Sequence, residues 1–314
     1  MKRLAVISLL FLLAICCLPA FVFSQELPNA ADVLSSALAA LREYQITFRN
    51  LTATETRGFE IFDSAGHLKM RRQVISILIV FPLAQNPNSA EEFRHIIAVD
   101  NKPVADAEKR AESFFEKIAR SQNDARLRQQ IQKESLRFDP VEVIGYTTSP
   151  GICLFENLRN FFRYDEVGDE ILDGHRTIRI YCEQNFATDA IRLSRPGARP
   201  DSNVAADIDS DGQTEHLGDL RLRASLWIDR DTFRLRREIR EFSVLNYKTQ
   251  KRSVIQHAEF TFRDSGFGIL TPQRILIDLF RPLRKRFEMS REARIEILYS
   301  EFSKPDVEIK FKMP

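Results

Sequence analysis

Apolar positions along this chain switch between two periods, and each switch marks an element. Val33, Leu34, Ala37, Leu38, Leu41 and Tyr44 recur at helical spacing, with Asn29 or Asp32 placed to cap the start, and predict one amphipathic helix. From Ile46 the spacing becomes strand-like: residues 46–62, a turn at Asp63-Ser64-Ala65-Gly66 and residues 67–81 predict a long hairpin. Its second arm, from Val74 to Phe81, is apolar on both faces and so needs cover from another layer. Residues 93–99 predict a third strand, closed by Asp100-Asn101-Lys102-Pro103. A helical stripe at Ala107, Ala111, Phe114, Phe115 and Ile118 resumes at Leu127, Ile131 and Leu136 after a break near Asn123-Asp124.

The rest reads as strand. Residues 141–146 and 160–164 are candidates, and two arms flank an Asp173-Gly174 turn and run to Cys182. Beyond residue 218 the alternation is clear: Leu220, Leu222, Ala224, Leu226 and Ile228 share a face, as do Val254, Ala258, Phe260 and Phe262, then Ala293, Ile295, Ile297 and Tyr299, and finally Val307, Ile309, Phe311 and Met313. With no internal repeat and no Pro/Ser-rich linker, the pattern predicts a single α+β domain over residues 25–314. Its predicted architecture is a large curved antiparallel sheet, a half-barrel, covered by a few helices.

The amino terminus lies outside that domain. Met1-Lys2-Arg3, an apolar run from Leu4 to Cys17, and Val22-Phe23-Ser24 form a secretory signal, with cleavage expected before Gln25 and the product periplasmic or secreted. The run is shorter than the ~20 residues of a membrane span. Cys16 and Cys17 are preceded by Ile15 and Cys16 rather than by the small residue that a lipidation signal wants. Losing residues 1–24 removes two bases and no acids, which leaves 44 of each; a neutral chain has no global attraction to nucleic acid or to an anionic membrane. The mature chain keeps two cysteines, Cys153 and Cys182. An oxidising compartment permits a bridge between them, worth roughly 3 to 4 kcal/mol, and two buried thiols are the other reading. With 24 Phe against 6 Tyr and one Trp, the aromatic residues suit a wide oily core or cavity.

Candidate chemistry is sparse. Asp207, Asp209 and Asp211 alternate ahead of Gly212, with Gln213 at the seventh position offering a carbonyl, as in a calcium loop near residues 200–218; Gly218 stands where the bidentate glutamate belongs. Arg281, Arg284, Lys285 and Arg286 form a basic patch around Pro282, suited to an anionic surface or to guarding a sheet edge. His67, His95, His175, His216 and His257 share no metal-ligand spacing, no phosphate-cradling or nucleophile motif is present, and no catalytic residue is assigned.

The order of elements, a signal peptide, an amphipathic helix, a hairpin from Phe48, intervening helices and a long antiparallel remainder, resembles the periplasmic carriers that sort outer-membrane lipoproteins. Val99-Asp100-Asn101-Lys102-Pro103-Val104 with the helix after it, Asp173-Gly174-His175-Arg176, Leu226-Trp227-Ile228-Asp229 and the arm over residues 295–302 are similar to a related group of uncharacterised secreted bacterial proteins. The resemblance implies a half-barrel with an apolar hollow for acyl chains, and carries over no functional residue. It and the Phe-rich interior lead to the expectation of a non-enzymatic carrier for a lipid or lipoprotein acyl chain, with Val33, Leu34, Leu38, Leu41, Leu222, Leu226, Phe260 and Ile295 as lining. A ligand-free assembly module of the bacterial envelope, which would bind an envelope protein, is the alternative.

Overall fold

The computed structural model of the chain describes residues 30–82, 90–120, 124–143, 145–147, 149–186, 205–206, 215–216, 220–246, 250–282 and 289–304. Helix α1 (Ala30–Phe48) buries Val33, Ala37, Leu41, Tyr44 and Phe48, a row at spacings of three and four that forms one face. It is longer than its expected extent. The β-branched pair Ile46-Thr47 reads locally as strand, but Phe48 stacks on Tyr44 at 5.0 Å and meets Phe302 at 6.2 Å, so tertiary packing holds the last turn helical. The first strand therefore begins at Thr52.

β1 (Thr52–Phe62), β2 (Leu68–Pro82), β3 (Ala90–Val99) and β4 (Lys102–Pro103) form a meander. Helices α2 (Ala107–Arg120) and α3 (Asp124–Ser135) follow. Then come β5 (Phe162–Leu172) and β6 (His175–Gln184), a separate two-stranded piece of β7 (Ala205–Ala206) and β8 (Glu215–His216), and the consecutive strands β9 (Arg221–Asp229), β10 (Leu235–Asn246), β11 (Lys251–Asp264), β12 (Leu270–Pro282) and β13 (Met289–Ser303). Eleven of these make one open antiparallel sheet in the order β4-β3-β2-β1-β13-β12-β11-β10-β9-β6-β5. The fold is thus α+β, a curved half-barrel sheet with three α-helices among the described residues. Because β1 pairs with β13, the two meanders are zipped together near the middle of the sheet.

Local chemistry sets the tight turns. Asp173 and Gly174 have φ of 50° and 82°, and Asp100 and Asn101 have φ of 48° and 62°; two successive positive values are the two-residue turn whose twist matches an antiparallel pair. The edge strand β5 carries Asp165, Glu166, Asp169 and Glu170 and has a register shift at Gly168, features that discourage pairing with another chain.

The structure departs from the sequence reading at two further places. Of the strand expected over residues 141–146, the described residues 141–143 and 145–146 form none: they belong to an irregular segment, running to short 3-10 turns at Ile152–Leu154 and Arg159–Phe161, that lies on the sheet. Strand β10 escaped the sequence reading because its inner face carries Glu238 and Arg240, which break the apolar alternation.

The two faces differ in kind. The inner one presents Phe59, Ile295, Ile277, Ala258 and Phe260 from neighbouring strands, all buried in one continuous cluster with α1. The outer one is laced by cross-strand ion pairs, among them Arg71–Glu60 at 2.6 Å, Arg274–Glu296 at 2.6 Å and Arg237–Glu259 at 2.6 Å. Here Trp227 lies between the guanidinium groups of Arg179 and Arg237, each 4.9 Å from its ring, and donates its indole N–H to Glu170 at 2.7 Å. Helices α2 and α3 cover β3 through a smaller cluster of Phe93, Phe114 and Ile131, in which Phe93 and Phe114 stack at 4.5 Å.

Candidate functional site

A cavity lies where α1 crosses the ends of β10, β11 and β12. Ala37, Ala40, Leu41 and Tyr44 come from α1, Pro150 and Leu154 from the irregular segment, and Arg234, Leu235, Phe262, Ile269 and Leu270 from the strand ends. Its empty volume is about 430 Å³, a figure that includes space open to solvent, so the enclosed part is much smaller. The two alanines leave the space, since a larger side chain at either helical position would project into it. Arg234 supplies the charge at this lining and pairs loosely with Glu43 of α1 at 3.7 Å.

The irregular segment that walls the cavity is fastened by polar groups buried on the inner face. On one side, Glu55 of β1 accepts from Arg94 of β3 at 2.7 Å and lies 3.1 Å from Arg57; Arg94 also binds Glu92 at 2.9 Å. Glu92 accepts from Thr147 and from the Gly145 N–H, Arg57 pairs with Asp139, and Tyr44 donates to the Thr147 carbonyl at 2.8 Å. On the other side, Glu238 accepts from the Gly151 N–H at 2.7 Å and from Arg240 at 2.8 Å, while Arg240 donates to the Ser149 carbonyl at 2.7 Å. Gln256 bonds the Tyr146 hydroxyl. Gly151 needs its φ of 61° to aim that N–H, and sits where Leu41, Leu154 and Leu235 converge.

Buried charge shifts the local acidities. Burial alone would push Glu55 up, but Arg94 and Arg57 beside it bring it below the ordinary carboxylate value. Asp139 goes the other way: burial raises it to about 6, more than Arg57 can offset. The Tyr146 phenol is pushed up to about 12, chiefly by burial. Cys153 and Cys182, 29 residues apart, form a disulfide that ties the irregular segment to β6, and Tyr164 donates to the Cys153 carbonyl.

The residues expected to line a hollow are distributed as follows. Leu41 borders the cavity. Val33, Leu222, Leu226, Phe260 and Ile295 are buried in the main cluster, and Leu34 is partly buried against it. Leu38 is partly buried on α1. Arg281 donates to the Phe62 carbonyl at 3.1 Å, at the far end of β12. Arg284, Lys285 and Arg286 lie outside the described residues, as do Asp207, Asp209, Asp211, Gln213, the signal and its cleavage point. Among the described residues no group of three or more His, Cys, Asp or Glu could hold a metal ion, and no helix is long and apolar enough to cross a membrane. Sequence reasoning missed Ala40, Leu154, Leu235, Phe262, Ile269 and Leu270 as cavity lining; apart from Ala40 in the middle of α1, they are apolar residues at or near element ends.

No family model matches the chain, and no curated protein sequence matches it. Among solved structures it is similar to one described as an outer membrane lipoprotein-sorting protein domain from Vibrio parahaemolyticus, at 11% identity and a TM-score of 0.36 over 90% of this chain and 97% of that one. It is similar to a DUF1329 family protein from Desulfovibrio piger, at 12% identity and a TM-score of 0.35 over 88% of this chain and 95% of that one. It is also similar to the lipoprotein LppX from Mycobacterium tuberculosis, at 10% identity and a TM-score of 0.25 over 89% of this chain and 99% of that one.

Proposed function

We propose that this chain is an exported, non-enzymatic binding protein that holds a lipid or lipoprotein acyl chain in the cavity beneath α1. One observation carries the reading: a cavity bounded by hydrocarbon from α1, the irregular segment and three strand ends, with Arg234 the single charged residue among its described lining. Such a surface offers an alkyl chain ~0.8 kcal/mol per buried methylene and offers a polar ligand few partners. The Cys153–Cys182 bridge supports an oxidising compartment, periplasmic or extracellular.

The test is binding of a fluorescent fatty acid, with native mass spectrometry of the purified protein for co-purified lipid. Wild type should bind saturably at about micromolar affinity, since the methylene gain is offset by ordering costs. Ala40→Trp, which fills the cavity from a partly exposed helical position, should weaken binding at least about tenfold with the melting temperature retained. Protein that carries no lipid and binds no fatty acid would sink the carrier reading in favour of a ligand-free envelope module.

A further inference from the structure

A second hollow, on different elements, lies between β3 and helices α2 and α3. Its empty volume is about 330 Å³, part of it open to solvent, and Phe93, Ile96, Ala107, Ala111 and Phe114 supply its apolar lining. Arg94, His95, Arg110, Glu134 and Arg137 supply the polar groups. Along α2, Ala107, Arg110, Ala111 and Phe114 follow the i, i+3, i+4, i+7 spacing of one helix face, so Arg110 sits in the row that turns toward the strand. Arg137 follows the end of α3 and lies over the Phe138 ring at 4.3 Å, and its Nε is buried with no hydrogen-bond partner among the described residues.

The charges there do not balance. Arg94 is neutralised by Glu55 and Glu92. Burial holds the His95 imidazole below its ordinary value, against an opposing pull from Glu108, so it is mostly uncharged at neutral pH. Glu134, the acidic member of the lining, acts on Arg137 only from beyond ion-pair distance, and among the described residues no carboxylate lies within 4.0 Å of Arg110 or Arg137. Burial, then the neighbouring charge of Arg110, holds the Arg137 guanidinium below its ordinary value, so the two cations repel across the hollow. This contrasts with the paired arginines Arg57, Arg71, Arg223, Arg236, Arg240 and Arg294.

We propose that this hollow is an oxyanion site, with Arg110 and Arg137 as its binding pair and a phosphate group, free or carried on a lipid headgroup, as its ligand class. Two planar guanidinium forks present more N–H donors than one carboxylate can use, whereas the oxygens of a phosphate can bridge both. Phe93 and Phe114 back the hollow, while Arg110 is exposed and Arg137 half-buried, so the pair faces a ligand arriving from solvent. The site shares no lining residue with the acyl cavity and does not depend on it.

Calorimetric titration of the full mature chain with inorganic phosphate, against chloride at matched ionic strength, tests the free ligand. Sedimentation with vesicles of phosphatidylglycerol or of phosphatidylcholine tests the headgroup. Saturable phosphate binding assigns the free ligand; binding only to phosphatidylglycerol vesicles assigns the lipid-borne one. In either case Arg110→Gln with Arg137→Gln should weaken binding at least about tenfold, Arg110→Gln alone should weaken it measurably, and Arg71→Gln, which removes one charge from the outer face, should leave it intact. Absence of binding to both probes, or equal binding by wild type and the Arg110→Gln variant, would overturn the proposal.

Discussion

At the scale of single residues, the inner face of this sheet carries opposite titrations within a few ångströms. Asp139 has its acidity shifted from 3.8 to about 6 by burial, so the folded chain holds that proton more tightly than the unfolded one. Its contribution to stability therefore falls as pH rises from about 4 to about 6, by up to about 3 kcal/mol. Glu55 works in the opposite sense: lowered by Arg94 and Arg57 against its own burial, it contributes stability above the ordinary carboxylate range that is lost as pH falls. Asp139→Asn removes only the first effect. Urea unfolding at pH 4, 5, 6 and 7 should show the variant gaining on wild type as pH rises through that window, and a constant difference would mean that Asp139 titrates as an ordinary carboxylate. Arg94→Ala is expected to be severe, about 3–5 kcal/mol, because it leaves Glu55 and Glu92 buried without their shared cation.

At the scale of elements, the irregular segment between α3 and β5 is the part on which the cavity beneath α1 depends. It has no ladder of its own, so its backbone donors and carbonyls are satisfied by sheet side chains, Glu92, Glu238 and Arg240, and its far end by the bridge to β6. Cys153→Ala with Cys182→Ala should lower unfolding free energy by about 3–4 kcal/mol on the chain-entropy relation. It should also weaken fatty-acid binding, since Leu154, next to Cys153, walls the cavity. Thermal unfolding of wild type with and without reductant reads the first effect; identical midpoints would show that the bridge adds nothing to stability.

At the scale of the whole molecule, an open sheet whose central strands come from opposite ends of the described chain commits it to long-range pairing, and β1 against β13 joins residues such as Thr54 and Ser300. Loss of that contact should uncouple the meanders, so Gly58→Pro, which removes a donor from a strand paired on both sides, should abolish cooperative unfolding. A broad or absent transition by circular dichroism is the expected outcome, and a retained sharp one would contradict it. Export belongs to this scale as well: terminal sequencing of the secreted protein should begin at Gln25. If the loop around Asp209 holds calcium, millimolar calcium should raise the melting temperature of wild type and not of Asp209→Ala.

The sequence alone determined most strands of the sheet. Alternation such as Leu222, Ala224, Leu226 and Ile228 fixes both the strand and the face it buries, because a side-chain period of two admits one assignment, and Asp173-Gly174 fixes a turn because only residues tolerant of positive φ fit there. The disulfide was legible as a possibility because two cysteines permit one pairing. What the tertiary structure decided were the places where a residue's surroundings override its own preference. Thr47 and Phe48 are helical because Tyr44 and Phe302 hold Phe48 there. Glu238 and Arg240 belong to a strand because a segment far off in the chain satisfies them. The cavity is absent from any local pattern because it arises where Ala37 and Ala40 leave space that Leu154, Phe262 and Leu270 only partly fill. Periodicity reports which side of an element is buried; whether the space on that side is filled is set by side chains that meet only after the chain has folded.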